Sequence, residues 1–95
     1  MHARLAGAIR DRRVVTFAYD GLPRTVRPAV LGVLAGHETL HGYQTGGGSR
    51  HGGLPQWRNF TVDRIAGLAV LDETFEDDPP GYGHVDFDPV HAALG

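Results

Sequence analysis

The chain has 95 residues, 41 % of them apolar and 21 % charged, enough for one small domain and too hydrophobic for wholesale disorder. It contains no cysteine, which excludes a disulfide scaffold, a thiolate zinc site and a cysteine nucleophile together and fits a reducing, cytoplasmic setting. The net charge of −2 conceals a split: all nine basic residues are arginine and lie within residues 1–71, against four acids (+5), while residues 72–95 carry seven acids and no base (−7).

In chain order, the first dozen residues read as a short helix, with Leu5, Ala8, Ile9 and Arg12 recurring at three- and four-residue steps. Residues 14–19 are β-branched and aromatic and suit a strand. Asp20-Gly21 follows, the dipeptide that best tolerates the positive φ angles of a tight hairpin. A second strand is expected over 24–34, where Pro28 marks an edge, a bulge or a bend because it cannot donate to a ladder. Gly36 ends it, and 39–44 reads as a third strand. Residues 45–56, TGGGSRHGGLPQ, hold five glycines and a proline and are expected to lack regular structure. A fourth strand over 57–65, a turn at Ala66-Gly67 and a fifth strand over 68–75 complete the set. Beyond Phe75, the acids and Pro79-Pro80 predict an irregular or loosely attached tail. One short helix followed by five sequential strands predicts a mainly β fold, a five-stranded antiparallel sheet curled into a small barrel over 1–75, with an acidic, Pro/Gly-containing tail over 76–95.

The longest apolar stretches, 29–36 and 65–71, run eight and seven residues, against about 18 for a spanning helix. Arg4, Arg10, Arg12 and Arg13 stand where a signal peptide would be apolar. No membrane association is expected.

Several short runs resemble WYL domains. Ala8-Ile9 with Val15-Thr16-Phe17-Ala18-Tyr19 is similar to the family's opening helix and strand, and Arg24-Thr25-Val26-Arg27-Pro28 to its R-x-V-x-P step. Arg58-Asn59-Phe60-Thr61-Val62-Asp63-Arg64-Ile65 resembles its R-x-F-x-L-D-R-I strand, the most specific of the three. The resemblance covers roughly residues 5–75. Glu38-Thr39-Leu40 stands where the family has Trp-Tyr-Leu, so the resemblance is to a divergent, stand-alone member. It implies an Sm-like small barrel that serves as a sensing module in bacterial regulators and binds nucleotide-type or single-stranded nucleic-acid ligands through a basic groove. Carried over by position, Arg24, Arg58 and Arg64 match the family's basic residues, and Phe60 and Ile65 its packing residues.

Arginine suits phosphate, because its planar fork donates two parallel hydrogen bonds and keeps its charge. Arg50, Trp57, Arg58 and Phe60 lie within eleven residues, and Tyr43 is expected to pair nearby across a hairpin, so a base could stack on a ring while arginines hold the backbone. The ligand-binding candidates are therefore Arg24, Arg58 and Arg64, with Tyr43, Arg50 and Trp57 as secondary ones. In a continuous strand Arg58, Phe60, Val62 and Arg64 share one face, which predicts an apolar pair flanked by arginines at the rims. Arg50 stands in the glycine-rich loop, whose N–H groups could cradle an anion, but no Gly-Lys-Ser/Thr closes it as a P-loop.

His37-Glu38-Thr39-Leu40-His41 spells the zinc-protease pattern H-E-x-x-H, whose chemistry requires a helix. In a strand the two histidines would stand roughly 13 Å apart, too far to share one zinc. No metal, cofactor or catalytic residue is expected, and the chain does not read as an enzyme. The expected function is a regulatory module that binds an anionic ligand, a nucleotide or a single-stranded nucleic acid. The alternative is a protein-interaction or homodimerisation module, and exposed strand edges favour a homodimer under either reading. The acidic tail could fold back onto the basic face and compete with an anionic ligand.

Overall fold

A computed structural model of the chain describes residues 1–48, 52–83 and 86–95. The expected mainly β fold with one N-terminal helix is present. Helix α1 (His2–Arg10) buries Leu5, Ala8 and Ile9, the apolar stripe of its sequence. It stops two residues short of the expected dozen because Arg12 turns into the left-handed region, at φ 53°, ahead of strand β1 (Arg13–Tyr19). Asp20 and Gly21 follow at φ 53° and 74° and form the anticipated hairpin into β2 (Leu22–Leu34).

The thirteen residues of β2 form the spine of the sheet. Along one side β2 pairs with β3 (His37–Gly47); along the other it pairs first with β1 and then, from Val30, with β6 (Val90–Ala93). Pro28 lies between these last two pairings, and the β2–β3 register shifts between Pro28 and Val30, so the proline marks a bulge. Strand β3 runs three residues further than expected, into the glycine-rich segment. Gly47 makes this possible: its φ is 88°, and a Cβ there would collide with the Pro23 carbonyl oxygen, so only glycine lets the strands stay paired.

The fourth strand is shorter than the sequence suggests. β4 (Gln56–Thr61) ends where Val62–Arg64 wind into a 3₁₀ turn, and β5 (Ala66–Thr74) then pairs with β1 rather than with β4. The turn expected at Ala66-Gly67 instead falls at Val62–Arg64, and Ala66 and Gly67 open β5. The order β4-β3-β2-β1-β5 places β4 and β5 at opposite edges. Laid flat, those edges would stand about 19 Å apart at ~4.8 Å per strand. Four residues link them, a reach of at most about 17 Å even when extended, and less for a 3₁₀ turn. The sheet must curl. Its curl brings the Thr61 backbone N–H to the Tyr19 hydroxyl at 3.0 Å, across strands that share no ladder. The barrel is not closed, because β4 and β5 do not pair. Phe17, Val26, Leu31, Leu40 and Phe60 fill its interior.

The C-terminal segment departs most from expectation. It is docked rather than loose. Phe87, Ala92 and Leu94 are buried in the core, and β6 adds a sixth strand against β2. Further bonds run from Val33 N–H to Pro89 C=O and from Leu94 N–H to Ala29 C=O. Acidic composition conceals this docking because three apolar side chains, one of them set between Asp86 and Asp88, suffice to anchor a short strand. No helix among the described residues is long and apolar enough to cross a membrane.

Candidate anion-binding site

Alternation along β2 turns Arg24 and Val26 inward, so an arginine enters the interior, 5 % exposed. A buried guanidinium needs hydrogen-bond partners. One terminal nitrogen donates to the Tyr19 carbonyl at 3.1 Å, the other to Gln44 Oε1 at 3.3 Å. Gln44 is itself fully buried and is held by donation from its amide nitrogen to the Gly46 and Gly48 carbonyls. The Arg24 guanidinium lies over the rings of Tyr19 and Phe60, 5.7 and 5.9 Å from their centroids. Phe60 meets Phe17 and Tyr19 edge-on, each at 5.0 Å, which fixes the aromatic floor.

Arg58 precedes Phe60 by two residues and so faces the same way along β4. Arg64 arrives by a different route. The parity argument over 58–64 fails at Thr61, where the strand ends, yet the 3₁₀ turn still buries Val62 and leaves Arg64 at the rim. There Arg64 pairs with Asp20 and stands over the Tyr19 ring at 4.7 Å. Tyr19, Asp20, Arg24, Arg58 and Phe60 line a cavity of about 250 Å³. Arg24 and Arg64, from separate elements, thus both stand over the Tyr19 ring, and Arg58 joins Arg24 and Tyr19 in the lining of the cavity.

Of the secondary candidates, Trp57 also lines the cavity and Tyr43 does not. Tyr43 and Trp57 are register partners on β3 and β4, with rings 5.2 Å apart. Trp57 borders the cavity, but alternation directs its ring to the other face of β4 from Arg58. The indole stacks on His41 at 4.6 Å with planes 6° apart, lies 6.0 Å from Tyr82, and donates from Nε1 to the Pro80 carbonyl at 2.7 Å. It is a docking surface for the C-terminal segment, not a stacking platform beside the arginines. Arg50 lies outside the described residues.

Other arginines are structural. Arg4 donates to the Leu68 carbonyl. Arg12 donates to Asp78 at 2.7 Å and to the carbonyls of Glu76 and Gly95, and covers Phe75. The acidic segment thus folds back onto Arg12, but no described residue of it lines the cavity. Nearby, burial pushes the Tyr82 phenol above its ordinary pKa, with the Asp78 carboxylate adding to the shift. His37 and His41 lie on β3, where no helical face brings them together; His41 instead pairs with Asn59, while Glu38 meets His91 and His2. Among the described residues no His, Asp and Glu side chains group so as to hold a metal ion.

Sequence reasoning missed Tyr19, Asp20 and Gln44. Asp20-Gly21 carried a turn signal that explained it completely, and no spacing marks Gln44 as the amide that holds a buried arginine. Fold and site together define a small, curled antiparallel domain with an arginine-lined cavity at the β1–β2 hairpin. Compared with known protein families, curated proteins and solved structures, the chain matches none.

Proposed function

We propose that the protein is a ligand-sensing or regulatory module that binds an anionic ligand, of nucleotide or single-stranded nucleic-acid type, in the arginine-lined cavity. The observation that carries this reading is that Arg24 and Arg58 line one cavity together with Tyr19, over whose ring Arg64 stands at the rim. These arginines lie 6 to 40 positions apart and come from β2, β4 and the 3₁₀ turn. They are also the three basic positions of the WYL resemblance, which supports the same reading. Tyr19 and Phe60 offer apolar ring surface beside the charges, the combination that suits a phosphorylated aromatic ligand.

Fluorescence polarisation with a labelled single strand, competed by mononucleotides, tests it. Binding at low salt is expected to weaken log-linearly as salt rises. Arg58→Ala and Arg64→Ala should each reduce affinity about tenfold or more, the worth of a charge-assisted hydrogen bond. A folded protein that binds neither strand nor mononucleotide at low salt overturns the reading. If that protein also sediments as a dimer, the interaction-module alternative takes its place.

A further inference from the structure

We infer that the open edge of β5 is an interface between two copies of this chain, which pair antiparallel about Val70 and continue one sheet through both domains. The inference is independent of the anion-binding reading.

A strand at the end of a sheet presents a row of backbone N–H and C=O groups that a further strand can satisfy. β4 and β5 both end this sheet, but they are dressed differently. β4 spans six residues, of which Gln56, Arg58, Asn59 and Thr61 are polar, and its Thr61 N–H already donates to the Tyr19 hydroxyl. β5 spans nine. It pairs with β1 on one side and, among the described residues, with no strand on the other. Natural proteins blunt such edges with prolines and charges. The middle of β5 carries neither: Leu68, Ala69, Val70 and Leu71 are all apolar, and the last three are only partly buried. Its charges follow at Asp72 and Glu73, both exposed.

The occupant is a second copy because the strand complements itself. With Val70 opposite the partner's Val70, Ala69 faces the partner's Leu71 and Leu71 faces the partner's Ala69, so apolar cross-strand pairs fill the centre. Leu68 then stands opposite the partner's Asp72. Beside Leu68 lies the Arg4 guanidinium, which donates to the Leu68 carbonyl at 3.0 Å. Asp72 has a fully exposed side chain and reaches its own Arg13 only at 4.0 Å. The two-fold therefore sets each Arg4 beside the partner's Asp72, and each Glu73 opposite the partner's Gly67, which has no side chain to repel it. Neighbouring registers fit less well. An axis at Leu71 puts Val70 opposite the partner's Asp72, and one at Ala69 puts Leu71 opposite the partner's Gly67. Pairing of this kind is isologous and closes at two copies.

The chain has no cysteine, so one introduced cysteine reads the register. Val70→Cys is expected to cross-link to its copy under mild oxidation, because opposed residues bring their Cβ atoms to about 4.5–5.5 Å, close to the reach of a disulfide. Thr74→Cys lies four residues beyond the axis on each side, roughly 27 Å from its copy, and should stay unlinked. Sedimentation equilibrium of the full chain should show monomer and dimer in exchange. Asp72→Arg, at an exposed position, should weaken the dimer about tenfold or more, since symmetry makes the substitution count twice. Adding Arg4→Asp should restore it, with circular-dichroism melts checking that each variant is folded. A chain that stays monomeric even at about millimolar concentration overturns the inference. A dimer that ignores the charge reversal, or that cross-links through Thr74→Cys as readily as through Val70→Cys, joins by another surface and overturns it equally.

Discussion

Arg12 and Arg64 each pair with an aspartate near the surface, yet the two do opposite things. Every contact described for Arg12 outside its own helix end reaches the chain from Phe75 onward: the carbonyls of Glu76 and Gly95, the Asp78 carboxylate and the Phe75 ring. It fastens one segment. Arg64 pairs with a hairpin turn and stands over Tyr19, at the rim of a cavity that two more arginines share. The role of an arginine is thus set by what surrounds its partner, which a count of charges along the chain cannot show.

The comparison breaks most severely if the fastened segment is removed. Deleting residues 86–95 takes Phe87, Ala92 and Leu94 out of the core and β6 off β2. Each large buried side chain is worth about 2–5 kcal/mol and a domain of this size has only about 5–15 in all. The truncated chain should show no cooperative thermal transition. A native-like melt would mean that the segment contributes little.

Phe60→Ala comes next. It removes the ring that meets Phe17 and Tyr19 and underlies Arg24, at about 3–5 kcal/mol. Chemical denaturation should record that loss, and anion binding should fall with the cavity floor gone.

Arg12→Ala and Arg64→Ala sharpen the contrast directly. Arg12→Ala should cost up to about 1 kcal/mol, as partly exposed ion pairs do, and leave anion affinity unchanged. Arg64→Ala should leave the melting temperature nearly unmoved and weaken anion binding about tenfold. Equal effects of the two on binding would erase the distinction between fastening and site.

The smallest effect is a dependence on alkaline pH. Tyr82 donates its hydroxyl hydrogen to the Leu94 carbonyl, and burial raises its pKa in the folded chain. A raised pKa means that the stabilisation is complete below the ordinary tyrosine value near 10 and is lost as pH climbs above it. Trp57, the chain's single tryptophan, stacks near Tyr82 and reports the segment by its fluorescence. The alkaline change in that signal should shrink in Tyr82→Phe.

Local features of this fold were legible in the sequence because local physics fixes them. The stripe of Leu5, Ala8 and Ile9, the Asp20-Gly21 hairpin and the Pro28 bulge all follow from a few adjacent residues. Phe60 could be read as core, and Arg24, Arg58 and Arg64 as a set, through the family resemblance. What escaped depends on distant partners. The pairing of β5 with β1 joins residues as far apart in the chain as Val15 and Val70, and the docking of the last segment depends on Phe87, Ala92 and Leu94 finding space in the core. Trp57 illustrates the same limit. An aromatic next to an arginine in sequence looks like a stacking site, but alternation sends its ring to the other face, where Pro80 and Tyr82 cover it.

One consequence follows from the way β2 is shared. On the side away from β3, its first half is covered by β1, and its second half, around Val30 to Gly32, only by the four residues of β6. A chain clipped by a protease before Val90 would expose a row of open N–H and C=O groups flanked by Val30 and Leu31, a template onto which further copies could add strands. Light scattering of nicked protein should therefore rise with time and with concentration. The last few residues guard the protein against aggregation as much as they complete its core.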